Sequence, residues 1–268
     1  MREFHSDKYT AERRQRPMTL ILGARCIDGV VLVADRKFTS EEAKIDYGNK
    51  ITGEIPGLLT AFSGDRATFE AFTNRLRSFL TTKIISQVKE SLEKNIPIVD
   101  LGVRFDDLIW EINILQRDLR KHGLYNFSIL AGISGIHYSD KKSKMILFYQ
   151  DGGFIPVREY KALGTGEPYA SYHLMRYYES EMKMEKFAEL ADFIIRFVEG
   201  KVYQLDKNVG LDPTYPFPQI IYIPDNLGYC SKYNNGEPKS DCSPNQQELQ
   251  DFKTNSEKKL EHLYAQHF

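Results

Sequence analysis

The order in which two hydrophobic periods follow one another limits this chain more than any single motif. β-type apolar runs come first, at 19–25, 29–37, around Gly48–Gly53 and at 57–64. The first two are joined by Ile27-Asp28-Gly29, and Asp-Gly between apolar runs signals a hairpin because both positions tolerate positive φ. From Asp65 the period changes. Phe69, Phe72, Leu76, Phe79, Leu80, Ile84, Val88 and Leu92 recur at steps of three and four, one face of a helix that Asn95-Ile96-Pro97 ends. A second stripe, Phe105, Leu108, Ile109, Ile112, Leu115 and Leu119, runs to a helix-stopping Gly123. Three β-type runs follow at 126–133, 144–150 and 153–158, then helical patterns at about 167–182 and 184–205, then a last strand at 218–224. The order is ββββ αα βββ αα β. One-to-one alternation builds parallel sheets through crossover units, whereas blocks call for antiparallel sheets packed face to face with helix pairs outside.

The chain is long enough for that architecture: 268 residues, 41% hydrophobic and 12% aromatic, exclude a disordered or fibrous polymer. Lys plus Arg (36) nearly balance Asp plus Glu (37), so no net field draws the chain to nucleic acid or an anionic membrane, and any partner is recognised locally. The longest uncharged, apolar-leaning run, Gly123 to Ser139, is interrupted by Asn126, Ser128, Ser134 and His137 and falls short of a membrane span. The first residues show no apolar secretory core, and a cytoplasmic location is expected. Cys26, Cys230 and Cys242 form an odd, sparse set without CxxC spacing, which favours neither a metal site nor a disulfide. Composition shifts only after Pro224. Three stretches result: an extension at 1–18, one domain at 19–224, and a polar tail at 225–268 whose Leu249, Phe252, Leu260 and Leu263 are spaced partly as on a helix. Phosphate-loop, HExxH and GxSxG motifs are missing, and Arg13, Arg14 and Arg16 make too short a basic cluster for nucleic acid.

Thr19 to Gly23 (TLILG), Asp28-Gly29 and Ala34-Asp35-Arg36, together with the block order, resemble the 20S proteasome family of N-terminal nucleophile hydrolases. The resemblance covers roughly 19–224. It implies an α+β fold, a four-layer αββα sandwich of two antiparallel sheets, whose first strand begins with a threonine nucleophile. Position by position, it makes Thr19 the nucleophile and Asp35 its acidic partner. Lys50 becomes the catalytic lysine if one residue is deleted, since strict register puts Ile51 there. Ala61, where the family usually has glycine, becomes the oxyanion-hole N–H donor. Thr165, within Gly164-Thr165-Gly166, replaces a supporting serine, and Asp206 is a second supporting acid, although Val209 stands where a further serine is expected. Leu58 and Leu59 become candidates for an apolar substrate wall. No cofactor and no metal are implied. The implied partners are a peptide or protein substrate and proteasome-like subunits in a homo- or hetero-oligomer.

The chemistry explains these residue types. A threonine hydroxyl attacks only if a base removes its proton, and an N-terminal threonine carries that base as its own α-amine. With a pKa of about 7.7–8.0, roughly a tenth of such an amine is neutral at pH 7, against about 0.04% of a lysine near 10.4. The amine is therefore the base, and Lys50 a fixed positive charge held by Asp35. Here Met18 precedes Thr19, and a start at Met18 followed by removal of that methionine would expose the amine. The expected function is a threonine-type peptidase or amidohydrolase acting through an acyl-enzyme. Two alternatives stand beside it: a connectase-like transpeptidase, in which an amine replaces water, and a catalytically silent, α-like ring subunit. Val209 favours the silent subunit, whereas an extension without a tyrosine-rich, glycine-containing run disfavours it.

Overall fold

The computed structural model describes residues 19–39, 45–55, 58–64, 66–94, 105–122, 127–134, 142–149, 153–200, 209–225 and 242–267. β1 (Leu20–Cys26) and β2 (Gly29–Ala34) pair through the two-residue Ile27-Asp28 turn, with Cys26 opposite Gly29. They form the centre of a four-stranded sheet, β10-β1-β2-β11, completed by β10 (Tyr160–Gly164) and β11 (Gln219–Pro224). A five-stranded sheet runs β5 (Ile51–Ile55), β6 (Leu58–Ser63), β7 (Ser128–Ile133), β8 (Lys144–Phe148) and β9 (Phe154–Val157). A short hairpin, β3 (Lys37–Thr39) with β4 (Ile45–Tyr47), stands apart. Every pairing is antiparallel.

Burial explains why β1 and β2 are apolar at successive positions. Strand side chains alternate between faces. Leu20, Leu22 and Ala24 join one apolar cluster with Phe187, Ala191 and Ile194, whereas Ile21 joins another with Leu59, Leu130 and Met145 from the five-stranded sheet. Both faces of β1 are therefore covered, one by helices and one by the other sheet. The five-stranded sheet has its own outer cluster, in which Phe62, Phe127 and Ile129 meet Phe72, Leu76 and Ile112. Five helices occur among the described residues: α1 (Arg66–Lys94), α2 (Phe105–Lys121), α3 (Glu167–Tyr177), α4 (Met184–Glu199) and α5 (Gln246–His267). None of them is long and apolar enough to cross a membrane.

Several sequence-derived boundaries move. The run at 153–158 is followed by a separate strand, β10, which the block order lacked, and β3 and β4 are additional. The helix expected over 167–182 ends at Tyr177, and the one expected over 184–205 ends at Glu199, residues 201–208 lying outside the described set. The expectation about cysteines holds for Cys26, free and buried with its thiol pushed up to about 12 by desolvation, but not for Cys242, which is disulfide-bonded. Spacing carries no information about such a pairing. The tail's helical spacing becomes α5, whose start is a capping box: the Asn245 Oδ1 accepts from Glu248 N–H, and Asn245 N–H donates to the Glu248 carboxylate, each at 3.0 Å. Ser256 on α5 then donates to Asp192 of α4 at 2.6 Å, so the terminal helix is docked on the domain.

Candidate active site

Three strand ends converge. Thr19 immediately precedes β1, Asp35 immediately follows β2, and Lys50 immediately precedes β5. The hairpin register places Ile21 opposite Ala34, and one step further Asp35 N–H donates to Leu20 O at 3.0 Å. This brings the Asp35 carboxylate beside Thr19. Lys50 arrives from the other sheet.

Thr19 Oγ1 donates to Asp35 Oδ1 at 2.7 Å and accepts from Lys50 Nζ. The same Oδ1 accepts from Leu20 N–H at 2.8 Å and from Lys50 Nζ at 2.7 Å, while Oδ2 accepts from Gly210 N–H at 3.2 Å and Lys37 N–H at 3.3 Å. Lys50 Nζ donates in addition to Lys37 O at 2.5 Å and lies 4.9 Å from the Phe38 ring centroid. An ammonium has three donors, and Thr19 Oγ1, Asp35 Oδ1 and Lys37 O take all of them. All three side chains sit in residues with 0% exposure, where charge-assisted bonds gain strength from low local dielectric.

Glycine at 164 is required. Its φ is +101°, and a Cβ there would stand 2.0 Å from Thr19 O. The pairing of β1 with β10 ends at Leu20 opposite Gly164, and Thr165 follows in the turn, its buried hydroxyl without a hydrogen-bond partner. Ala61 lies inside β6. Phe62 N–H donates to Lys50 O on the β5 side, so by alternation the Ala61 N–H points to β7, where Ala61 faces Leu130, and not to Thr19. Leu58 and Leu59 are both 2% exposed and belong to the clusters on opposite faces of β6, so they are core residues and not an open wall. Val209 is likewise a core residue. Asp206 falls outside the described residues.

Main-chain groups of Lys37 and Gly210 carry part of the site, and no side-chain signal announces them. Gly210 is held from behind by α4: Glu199 accepts from the neighbouring Leu211 N–H at 3.0 Å, and burial raises the Glu199 carboxyl above its ordinary range. Gln219 was also missed. It accepts from Lys50 N–H and Ile51 N–H, both at 2.8 Å. Its only sequence signal is a lone amide within the apolar run PQIIYIP.

Comparison with known proteins bears on the fold and the family. Proteasome subunit alpha of Methanococcus vannielii is 26% identical over 197 residues, spanning 70% of this chain and 67% of that protein. Proteasome subunit alpha of Methanococcus maripaludis is 27% identical over 193 residues, 69% of this chain and 65% of that protein. The chain thus matches about two thirds of the length of these relatives. Among solved structures, an Anbu (Gly-1) mutant from Hyphomicrobium sp. strain MC1 shares the fold with a TM-score of 0.63 at 14% identity, over 92% of this chain and 96% of that one. Anbu (ancestral beta-subunit) from Yersinia bercovieri does so with a TM-score of 0.60 at 14% identity, over 92% and 97%. Residues 19–209 match the family described as Proteasome subunit, and the chain belongs to that family.

Proposed function

We propose that the form of this chain beginning at Thr19 is a threonine-type peptidase or amidohydrolase of the N-terminal nucleophile kind. The observation that carries this reading is the buried contact of the Thr19 hydroxyl with the Lys50 ammonium and the Asp35 carboxylate. With Met18 attached, the Thr19 nitrogen is an amide without an available lone pair, and the hydroxyl donates to Asp35 instead. Once freed, the amine accepts the hydroxyl proton as Oγ1 attacks the substrate carbonyl carbon. Lys50 stabilises the negative charge that develops on Oγ1 and Asp35 keeps Lys50 in place. Collapse of the tetrahedral adduct breaks the C–N bond, the departing amine takes the proton from the threonine ammonium, and an ester remains on Oγ1. Water then attacks that ester with the amine again as base, releasing the acid and restoring the hydroxyl. Thr165 stays a candidate for supporting the amino group: it follows Gly164, which faces Leu20, and its buried hydroxyl is unpartnered. An oxyanion role for Ala61 requires its N–H to turn away from β7, and Asp206 stays a candidate on resemblance alone.

If an amine enters in place of water, the same acyl-enzyme yields a connectase-like transpeptidase. The silent-subunit reading has its own support: the curated relatives are named Proteasome subunit alpha, and Val209 is packed into the core. Under either reading, assembly with copies of itself or with proteasome-like subunits is proposed from family membership. Intact mass after incubation with a peptidyl epoxyketone separates the classes. The chain beginning at Thr19 should gain one adduct, on Thr19, and Thr19→Ala should gain none. A folded chain that gains no adduct favours the silent subunit, and a variant labelled like its parent overturns the assignment of the nucleophile to Thr19.

A further inference from the structure

The site draws on two sheets. Thr19 and Asp35 belong to strand ends of the four-stranded sheet, whereas Lys50 leads into β5, the edge of the five-stranded one. Some contact must fix the register of β5 against the other sheet, because a one-residue slip exchanges Lys50 for Ile51 and flips every side chain.

Gln219 makes the choice. It opens β11 opposite Ala34, one residue from Asp35, and is 8% exposed. Its Oε1 accepts from both Lys50 N–H and Ile51 N–H at 2.8 Å, and its Nε2 donates to Ile51 O at 2.7 Å. Toward Ile51 the amide acts as a residue of a neighbouring strand would, taking the N–H and giving to the C=O of one position. Ile51 is opposite Ala61 on the β6 side, so these groups belong to the free edge of β5, which the amide closes. Toward Lys50 it gathers a second, successive N–H onto the same oxygen, which marks where β5 begins. Only one orientation of the amide satisfies all three groups.

We infer that Gln219 is a positioning residue: its side-chain amide pins the Lys50–Ile51 register, and thereby the Lys50 ammonium, against Thr19 and Asp35. The inference rests on the nucleophile reading of Thr19. The test uses the full chain beginning at Thr19 and the epoxyketone as probe. Gln219→Met keeps the length and removes all three bonds; Gln219→Glu keeps both acceptor bonds. Misplacing a catalytic group by about 1 Å costs on the order of a hundredfold, so Gln219→Met should label about ten- to a hundredfold more slowly. Gln219→Glu should label faster than Gln219→Met, because the Lys50 and Ile51 N–H groups keep their acceptor and only the bond to Ile51 O is lost. The Lys50 ammonium touches Thr19 Oγ1, and a nearby positive charge disfavours a protonated amine, so displacing Lys50 should move the acid limb of the Gln219→Met labelling profile to higher pH. A merely structural role lowers the folded fraction and leaves that limb in place. Hydrogen exchange decides the matter if Gln219→Met fails to fold: the Lys50 and Ile51 amides of the parent should be as protected as the β6–β7 ladder. An unlabelled parent overturns the nucleophile reading, with hydrogen exchange still deciding the clamp. Parent-like labelling and an unmoved acid limb in Gln219→Met, or free exchange at both amides, overturn the clamp.

Discussion

Replacing Lys50 by Met keeps the stem and removes the charge, which isolates what the buried pair contributes. In the parent, Nζ and Asp35 Oδ1 are 2.7 Å apart with side chains 1% and 0% exposed. At that separation and an effective dielectric of 20 the attraction is about 6 kcal/mol, much of it offset by the desolvation of both ions. Deleting one partner removes the attraction and leaves the desolvation of the other, which generally costs about 3–5 kcal/mol. Asp35 keeps its bonds from Thr19 Oγ1 and from the Leu20, Lys37 and Gly210 N–H groups, which places Lys50→Met near the lower figure, about 3 kcal/mol. At about 2–4 °C per kcal/mol for a domain of this size, Tm falls by about 6–12 °C. Adding Asp35→Asn removes the stranded charge, so the double variant should lose less than the two single losses combined, by about 2 kcal/mol. Urea unfolding of the four proteins, compared only where m is unchanged, measures the cycle. A Lys50→Met loss below about 1 kcal/mol, the range of exposed ion pairs, refutes the reasoning.

Gly164→Ala forces a side chain into a left-handed backbone and into Thr19 O; it should cost several kcal/mol, on the order of 3 or more, and abolish labelling, whereas a Tm within a few degrees of the parent contradicts this. His173 is buried among the rings of Tyr177, Phe193 and Phe197 with Nδ1 unpaired, and desolvation lowers its pKa below the ordinary 6.5. The unfolded chain therefore takes up a proton that the folded chain refuses: the stability present above pH 6.5 declines as pH falls below it, and His173→Phe should flatten the fall in Tm between pH 7 and 5. Equal slopes in parent and variant would rule that out. Ser256→Ala removes one bond to Asp192, which retains both bonds from Arg196, so about 1–2 kcal/mol should be lost and exchange in α5 should quicken first. Uniform quickening across the sheets instead would show that α5 is not docked through this contact.

The elements that the sequence revealed are those whose side chains face one apolar surface over several turns or strand steps. α4, with Phe187, Ala191, Ile194 and Val198 buried, is such a case, and so is the hairpin around Asp28-Gly29. β10 escaped notice because Tyr160 and Lys161 are half-buried and only Ala162 and Leu163 are fully covered, too short a run for a period. β3 and β4 have three residues each and pair mainly with one another. At the site, Thr19, Asp35 and Lys50 could be named because the resemblance around TLILG, Asp28-Gly29 and Ala34-Asp35-Arg36 carries over to them position by position, onto residue types that the proposed roles need. Ala61 could not be judged: whether an N–H is available depends on which neighbour a strand faces, which one-residue alternation decides. The Lys37 carbonyl and the Gly210 N–H act through the main chain, where the residue type carries no signal. Gln219 left a faint one, an amide in an otherwise apolar strand, which acquires meaning only once β11 and β5 are seen side by side.

The central claim is that the α-amine of Thr19 is the base. Two chains differing only in the presence of Met18 test it most directly, through their rates of epoxyketone labelling followed by intact mass at pH 7. The account predicts one adduct per chain when Thr19 is first and none when Met18 precedes it. Equal labelling of both would place the base elsewhere and contradict the account.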